Sequence, residues 1–253
     1  MGTNKIALIT GGSRGLGKNM AVRLAQAGHD VIITYRTQKT EADKVVDEIN
    51  LLGRKAAALH FDAANFSGLN DFVERLKIVL KTSFDKESFD FLINNAGMGA
   101  TIPFMQATEE NFDDFLNVHF KTVFFLTQKT VPFINDNGRI INISSGTTRF
   151  CNPGYSIYAS MKSAVETLTR YLAKEFGSRG ITVNILAPGA IETDFNNAGF
   201  RSNPEMQKRI IGLTALGRTG KPEDIGGIIV FLCSEDSTWI NGQRIEASGG
   251  VNL

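Results

Sequence analysis

Seven short apolar runs recur along the chain with few polar interruptions, and they limit its fold more than any other feature. They are KIALIT (5–10), DVIITY (30–35), KAAALHF (55–61), FDFLIN (89–94), GRIINIS (138–144), ITVNILA (181–187) and GQRIEAS (242–248). Each is too short for a buried helix, and most lack the alternation of a half-solvated strand. Continuous runs of this length belong to strands covered on both faces, the environment of a parallel sheet. Helical patterns fill the gaps at Gly15–Ala27, Glu41–Leu52, Leu69–Lys81, a long stretch around 109–134, Tyr155–Gly177 and 222–234. Strand–helix alternation from end to end predicts right-handed crossovers. The expected fold is α/β: a single doubly wound Rossmann-type domain over residues 1–253, with a parallel sheet of about seven strands flanked by helices. The longest irregular stretches are 82–88, 97–108 and 188–221. In such folds ligands gather outside the carboxyl ends of the strands, where these loops meet.

Composition narrows the function classes. The formal net charge of +1 gives no reason to expect nucleic acid or an anionic membrane as partner. Cys151 and Cys233 have no zinc or CxxC spacing and suit a reducing compartment. No secretory pattern follows Met1, and no run reaches the roughly 18–20 apolar residues of a membrane helix. A cytoplasmic protein acting on a small molecule is expected, with no metal.

The stretch TGGSRGLG (10–17) joins the first strand to the first helix. Gly11, Gly15 and Gly17 allow a tight turn and a close backbone approach to a pyrophosphate, which the free N–H groups of a helix N-terminus then attract. The second strand ends in Tyr35-Arg36-Thr37. A fold that prefers NAD usually places an acidic residue there for the ribose 2′-hydroxyl. Arg36, with Arg14 in the glycine loop, suits a 2′-phosphate instead, and NADP(H) is the expected cofactor.

With NNAG (94–97), Asn117, Ser145, YASMK (158–162) and PGAIETD (188–194) added in order, the sequence resembles the short-chain dehydrogenase/reductase family over nearly its whole length. Within that family it resembles β-ketoacyl-acyl-carrier-protein reductases. The resemblance implies cofactor contacts from Gly11, Ser13, Arg14, Gly15, Leu16, Gly17, Arg36, Asp62, Asn94, Ala96, Gly97, Tyr158, Lys162, Pro188, Gly189, Ile191 and Thr193. Asp62 would meet the adenine, Asn94 and Gly97 the adenosine side, Ile191 and Thr193 the nicotinamide carboxamide, and Lys162 the nicotinamide ribose. Asn117 would hold a relay water beneath Lys162, and the chain would form a homo-oligomer, dimer or tetramer, through the helices near 109–134 and 155–177.

Carbonyl reduction needs a hydride from a nicotinamide and a proton from a positioned acid. Tyr158 and Lys162 lie four apart on one helical face, where an ammonium is expected to lower the phenol pKa. Ser145, just past the fifth strand, can hold the substrate oxygen. His119 reads as structural. Tyr155 stands seven residues before Lys162, the spacing of related enoyl-acyl-carrier-protein reductases, and helical geometry does not choose between the two tyrosines. Ser145 precedes Tyr158 by thirteen residues, the separation usual in the family's carbonyl reductases, which assigns Tyr158 as the acid. The alternatives are an enoyl-thioester reductase using Tyr155 and a nucleotide-binding regulator without catalysis. Residues 192–217 are expected to form a lid carrying Phe195, Phe200, Met206 and Ile210, with Arg201 and Arg209 solvated. The stretch 77–88 appears extended for the family.

Overall fold

In the computed structural model, which describes residues 4–193, 195 and 203–253, all the apolar runs become strands of one parallel sheet. The strands are β1 Ile6–Ile9, β2 Asp30–Tyr35, β3 Ala56–His60, β4 Phe89–Asn94, β5 Ile134–Ile143, β6 Thr182–Pro188 and β7 Arg244–Ala247. Their spatial order is β3-β2-β1-β4-β5-β6-β7, so the chain reverses direction across the sheet between β1 and β4. β1 and β6 are buried along their length, whereas the edge strand β7 is only half-buried throughout.

Alternate residues of each strand feed two cores, as period-two geometry requires. Ile6, Leu8, Ile32, Leu92, Ile140 and Val183 meet one set of helices. These are α3 (Leu69–Val79), α5 (Thr122–Thr130) and α6 (Ser156–Glu175), through Phe72, Leu76, Leu126 and Ala173. Ala7, Ile9, Val31, Ile33, Ile93 and Ile141 face the other set. There α1 (Gly15–Gln26), α2 (Lys39–Leu51) and α8 (Glu223–Cys233) contribute Met20, Leu24, Val45, Ile49, Ile225 and Ile229.

Three details differ from the pattern expected of the sequence. The long helical stretch is α4 (Glu109–Leu116), then a π-turn over Asn117–Lys121, then α5, and β5 begins at Ile134 rather than 138. Ile134 already pairs with Phe89 before an irregularity shifts the register. The stretch after α3 is not irregular at first: a π-turn, Leu80–Phe84, extends the helix and buries Leu80 and Phe84 before Asp85 turns the chain in the left-handed region. The long irregular stretch beyond β6 contains α7, Pro204–Leu213, started by an Asn203 side-chain cap on Met206 N. Met206, Arg209 and Ile210 lie on α7, none of whose residues is buried. Of the expected lid, Asp194, Phe200 and Arg201 fall outside the described residues.

Candidate active site

The glycine loop is held from three sides. Gly11 N donates to Thr34 Oγ1 and Gly12 N to Thr34 O, which ties the loop to the end of β2. From β4, Asn95 Nδ2 donates to the carbonyls of Thr10 and Gly11, while Thr10 Oγ1 accepts from the amides of Asn95 and Ala96. A Cβ on Gly17 would lie 2.1 Å from Gly11 O, and one on Gly11, where φ is +68°, would lie 3.1 Å from Ala96 Cα. The first turn of α1 has no acidic residue, and its N-cap Arg14 makes no side-chain capping bond. The loop is therefore a backbone-walled cradle at an uncapped helix N-terminus, with Ser13 and Gly17 buried and Leu16 half-buried. That chemistry fits a dinucleotide pyrophosphate.

Other predicted cofactor residues line the same edge. Arg14 and Arg36 are exposed, and neither is ion-paired among the described residues. Asp62 follows β3, its Oδ1 accepting from Ala64 N, while Phe61 N reaches Tyr35 O beside Arg36. Pro188 ends β6. Gly189 follows so close to Ser248 that a Cβ would lie 2.7 Å from its Cα. Ile191 bridges Gly220, and buried Thr193 sits over Gly15. Asn94 is placed differently: its side chain is buried in the sheet and donates to Thr127 Oγ1 and Asn142 Oδ1. Asn95, which latches the glycine loop, is the neighbour that sequence reading passed over.

Tyr158, on α6, is buried inside a cluster of rings. Its centroid lies 5.1 Å from His119, 6.2 Å from Tyr155, 6.3 Å from Phe115 and 6.3 Å from Phe195. Ser145 lies close enough to its hydroxyl to favour the ionised form. Ser145 Oγ accepts from Thr147 N at 3.2 Å and Thr147 Oγ1 at 3.0 Å. Tyr155 does not lie in α6 but caps it, and Thr101 Oγ1 donates to its hydroxyl at 3.3 Å. The helical-wheel comparison of the two tyrosines therefore does not apply, and burial distinguishes them instead: Tyr158 is buried and Tyr155 only half-buried.

Lys162 is buried one turn beyond Tyr158. Its Nζ donates to Ile143 O at 2.7 Å and lies 5.7 Å from the Tyr158 ring centroid. Burial pushes Lys162 down to about 8 and Tyr158 up to about 12, with the nearby Ser145 hydroxyl opposing the second shift. The expected lowering of the phenol by an ammonium is thus absent from this structure. Desolvation disfavours both charges, so Lys162 has lost its proton before Tyr158 ionises, and Tyr158 stays a protonated donor across the neutral range.

The π-turn presents His119, rather than Asn117, to Tyr158. His119 is fully buried with its ring perpendicular to the phenol, and its Nε2 lies 2.8 Å from Met98 O. Burial, followed by the charge of Lys162, holds its pKa well below the ordinary histidine value, so the ring is neutral. A 2.8 Å contact to a carbonyl requires the proton on Nε2, which leaves Nδ1 as an acceptor with no partner among the described residues. A Cβ on Gly97 would lie 3.1 Å from the imidazole. His119 thus joins the turn after β4 to Tyr158. Asn117, half-buried at the head of the same turn, takes no part in these ring contacts.

A dinucleotide cradle at the switch in strand order, beside half-buried Ser145 and the buried Tyr158–Lys162 pair, defines an oxidoreductase that interconverts a carbonyl and an alcohol with a nicotinamide cofactor. The comparisons with known proteins agree. A family model described as enoyl-(acyl carrier protein) reductase matches residues 11–252. The 3-oxoacyl-(acyl-carrier-protein) reductase of Staphylococcus epidermidis is 36% identical over 252 residues, 99% of this chain and 100% of its own. Among solved structures, the angucycline C-6 ketoreductase LanV with bound NADP is 35% identical, with a TM-score of 0.94 over 98% of this chain and 96% of its own. A short-chain dehydrogenase/reductase from Serratia marcescens is 32% identical, with a TM-score of 0.90 over 98% of both chains. The chain belongs to the short-chain dehydrogenase/reductase family.

Proposed function

We propose that this protein is an NADP(H)-dependent carbonyl reductase in which Tyr158 donates the proton, Ser145 holds the substrate oxygen and Lys162 orients the cofactor ribose. The observation that carries this reading is the burial of Tyr158 beside Ser145 and Lys162, while Tyr155 caps the helix and is engaged with Thr101. It favours carbonyl chemistry through Tyr158 over enoyl reduction through Tyr155. The cofactor supplies the hydride when bound. Ser145 then donates to the substrate oxygen, and Tyr158 transfers its proton to that oxygen as negative charge develops. Lys162 stands behind Tyr158, and Asn117 enters the reading only through the π-turn that it opens. The exposed guanidiniums of Arg14 and Arg36, neither of them ion-paired among the described residues, support the 2′-phosphate form of the cofactor.

Candidate substrates include a 3-oxoacyl thioester, the substrate class named for the staphylococcal relative, and a planar ketone like those of an angucycline ketoreductase. Tyr155, Phe195 and Met98 give the region around Tyr158 an apolar character that suits either. Phe112, Phe124 and Tyr171 are exposed on α4, α5 and α6, which supports a homo-oligomer assembled through these helices. A cytoplasmic location accompanies this reading. Among the described residues no helix is long and apolar enough to cross a membrane.

The test is NADPH oxidation with a 3-oxoacyl thioester, an enoyl thioester and a polycyclic ketone, each with product identification. Reduction of a ketone, lost by roughly 10²–10⁴-fold in Tyr158→Phe and kept in Tyr155→Phe, is expected. Turnover of the enoyl compound alone, abolished by Tyr155→Phe, would overturn the assignment.

A further inference from the structure

At the backbone carbonyl of Ser145, four charged side chains alternate in sign. Arg244 of β7 is the inner member. It donates to the Ser145 carbonyl at 3.2 Å, to Glu166 Oε1 at 2.9 Å and to Glu246 Oε2 at 2.8 Å. Glu166, on α6, accepts from Ser144 Oγ at 2.6 Å and from Thr148 Oγ1 at 2.9 Å. Glu246 passes the chain outward to Arg149, which grips it through two nitrogens at 2.7 and 2.9 Å. Arg149 also donates to the carbonyls of Val251 and Asn252 at 2.5 and 2.8 Å. The Arg149 guanidinium holds the Glu246 carboxyl down to about 2, so the pairing persists across the working pH range.

The outer end of this ladder is the C-terminal strap. Gly249 and Gly250 accept from Leu216 N and Ala215 N, Asn252 N donates to Leu213 O, and Val251 bridges Thr214. The strap therefore runs along the carboxyl end of α7, and Arg149 fastens it to the segment that begins at Ser145. None of these four charges contacts the glycine cradle in the interactions described above.

We propose that the ladder Arg149–Glu246–Arg244–Glu166 sets the position of Ser145 through its backbone, with Arg149 and Arg244 as positioning residues that hold the serine segment against the C-terminal strap. The proposal rests on the reading of Ser145 as the group that holds the substrate oxygen. A side chain that must meet a reacting oxygen within a few tenths of an ångström depends on the fixity of its own backbone. Here a charge-assisted bond holds its carbonyl, and Glu166 holds the side-chain hydroxyls of Ser144 and Thr148 in the same segment.

A double-mutant cycle tests the coupling. Arg149→Met and Arg244→Met are each made in the wild-type and Ser145→Ala backgrounds. Arg149 is exposed enough for its variant to fold even if the Arg244 variant does not. Circular dichroism and NADPH affinity are measured alongside kcat, and amide hydrogen exchange over residues 144–151 is followed without substrate. Expected is a fall in kcat of about tenfold with the serine present and less than about twofold without it, since a residue acting through Ser145 has nothing left to position. NADPH affinity should be unchanged and exchange in the serine segment faster. An equal loss in both backgrounds, or unchanged exchange, would overturn the proposal. If the wild-type protein reduces no carbonyl, the proposed reaction fails instead, and the exchange measurement alone decides whether the ladder holds the segment.

Discussion

Replacing Lys162 with methionine should change how stability depends on pH, and the size of the change follows from burial. The folded protein releases the Lys162 proton near pH 8, whereas the side chain ordinarily does so at 10.5. Below pH 8 the fold must therefore hold a desolvated ammonium, at a cost of about 3.4 kcal/mol at 1.36 kcal/mol per pH unit. The penalty fades as pH rises from 8 to 10.5 and is absent above that range. From pH 7 to 9.5 the wild type should thus gain about 2 kcal/mol of unfolding free energy relative to Lys162→Met. Methionine also leaves Ile143 O without its donor, but that loss does not vary with pH and drops out of the slope. Tyr158 ionises too high to contribute in this window. Urea unfolding followed by circular dichroism at half-unit pH intervals, for both proteins, measures the difference. A flat difference would show that Lys162 keeps an ordinary pKa in the folded state and that its burial does not impose the penalty. A wild type that loses stability relative to the variant over this window would reverse the sign and refute the desolvation argument.

Other substitutions probe the remaining parts. Arg36→Glu should weaken NADPH binding by roughly 10- to 100-fold, the loss of one charge-assisted contact, and leave NADH binding the same or better; titration of both cofactors decides it. Gly17→Ala places a methyl against Gly11 O, so cofactor affinity should collapse while the circular dichroism spectrum stays that of the wild type. His119→Phe keeps a ring against Tyr158 but removes the bond to Met98 O. It should cost about 1–3 kcal/mol in chemical denaturation and lower kcat more than it raises the KM for NADPH. Equal kcat in that variant would limit His119 to packing.

The strands were legible because burial on both faces forces near-continuous apolar runs, and Ile6–Ile9 and Thr182–Pro188 carry no alternation to obscure it. The glycine cradle was legible because close backbone approach admits no other residue at Gly17. The π-turn was not. One extra residue in a helical turn leaves the apolar pattern nearly intact yet rotates everything beyond it, so nothing in the pattern marks that His119 reaches Tyr158; Asn117 came from the family resemblance instead. Tyr155 seemed to share the helix of Lys162 because a cap and a first helical residue look alike in sequence. The tyrosine pKa was misjudged for a different reason, since spacing reports the neighbouring ammonium but not the loss of water around both groups. The charge ladder was beyond reach: Arg149 and Glu246 are 97 residues apart, and nothing local to either marks the other.

Phe112, Phe124 and Tyr171 are not the only large side chains left in solvent. Trp239, the sole tryptophan of the chain, is fully exposed in the connection between α8 and β7. Its indole sits outside both cores, so its emission is already that of a solvated ring and will scarcely register whether the chain is folded. It will register company: if a second subunit covers that corner, the spectrum moves to shorter wavelength on concentration and back on dilution. If subunits meet at that corner, their exchange can therefore be followed without a label, by a chromophore blind to folding.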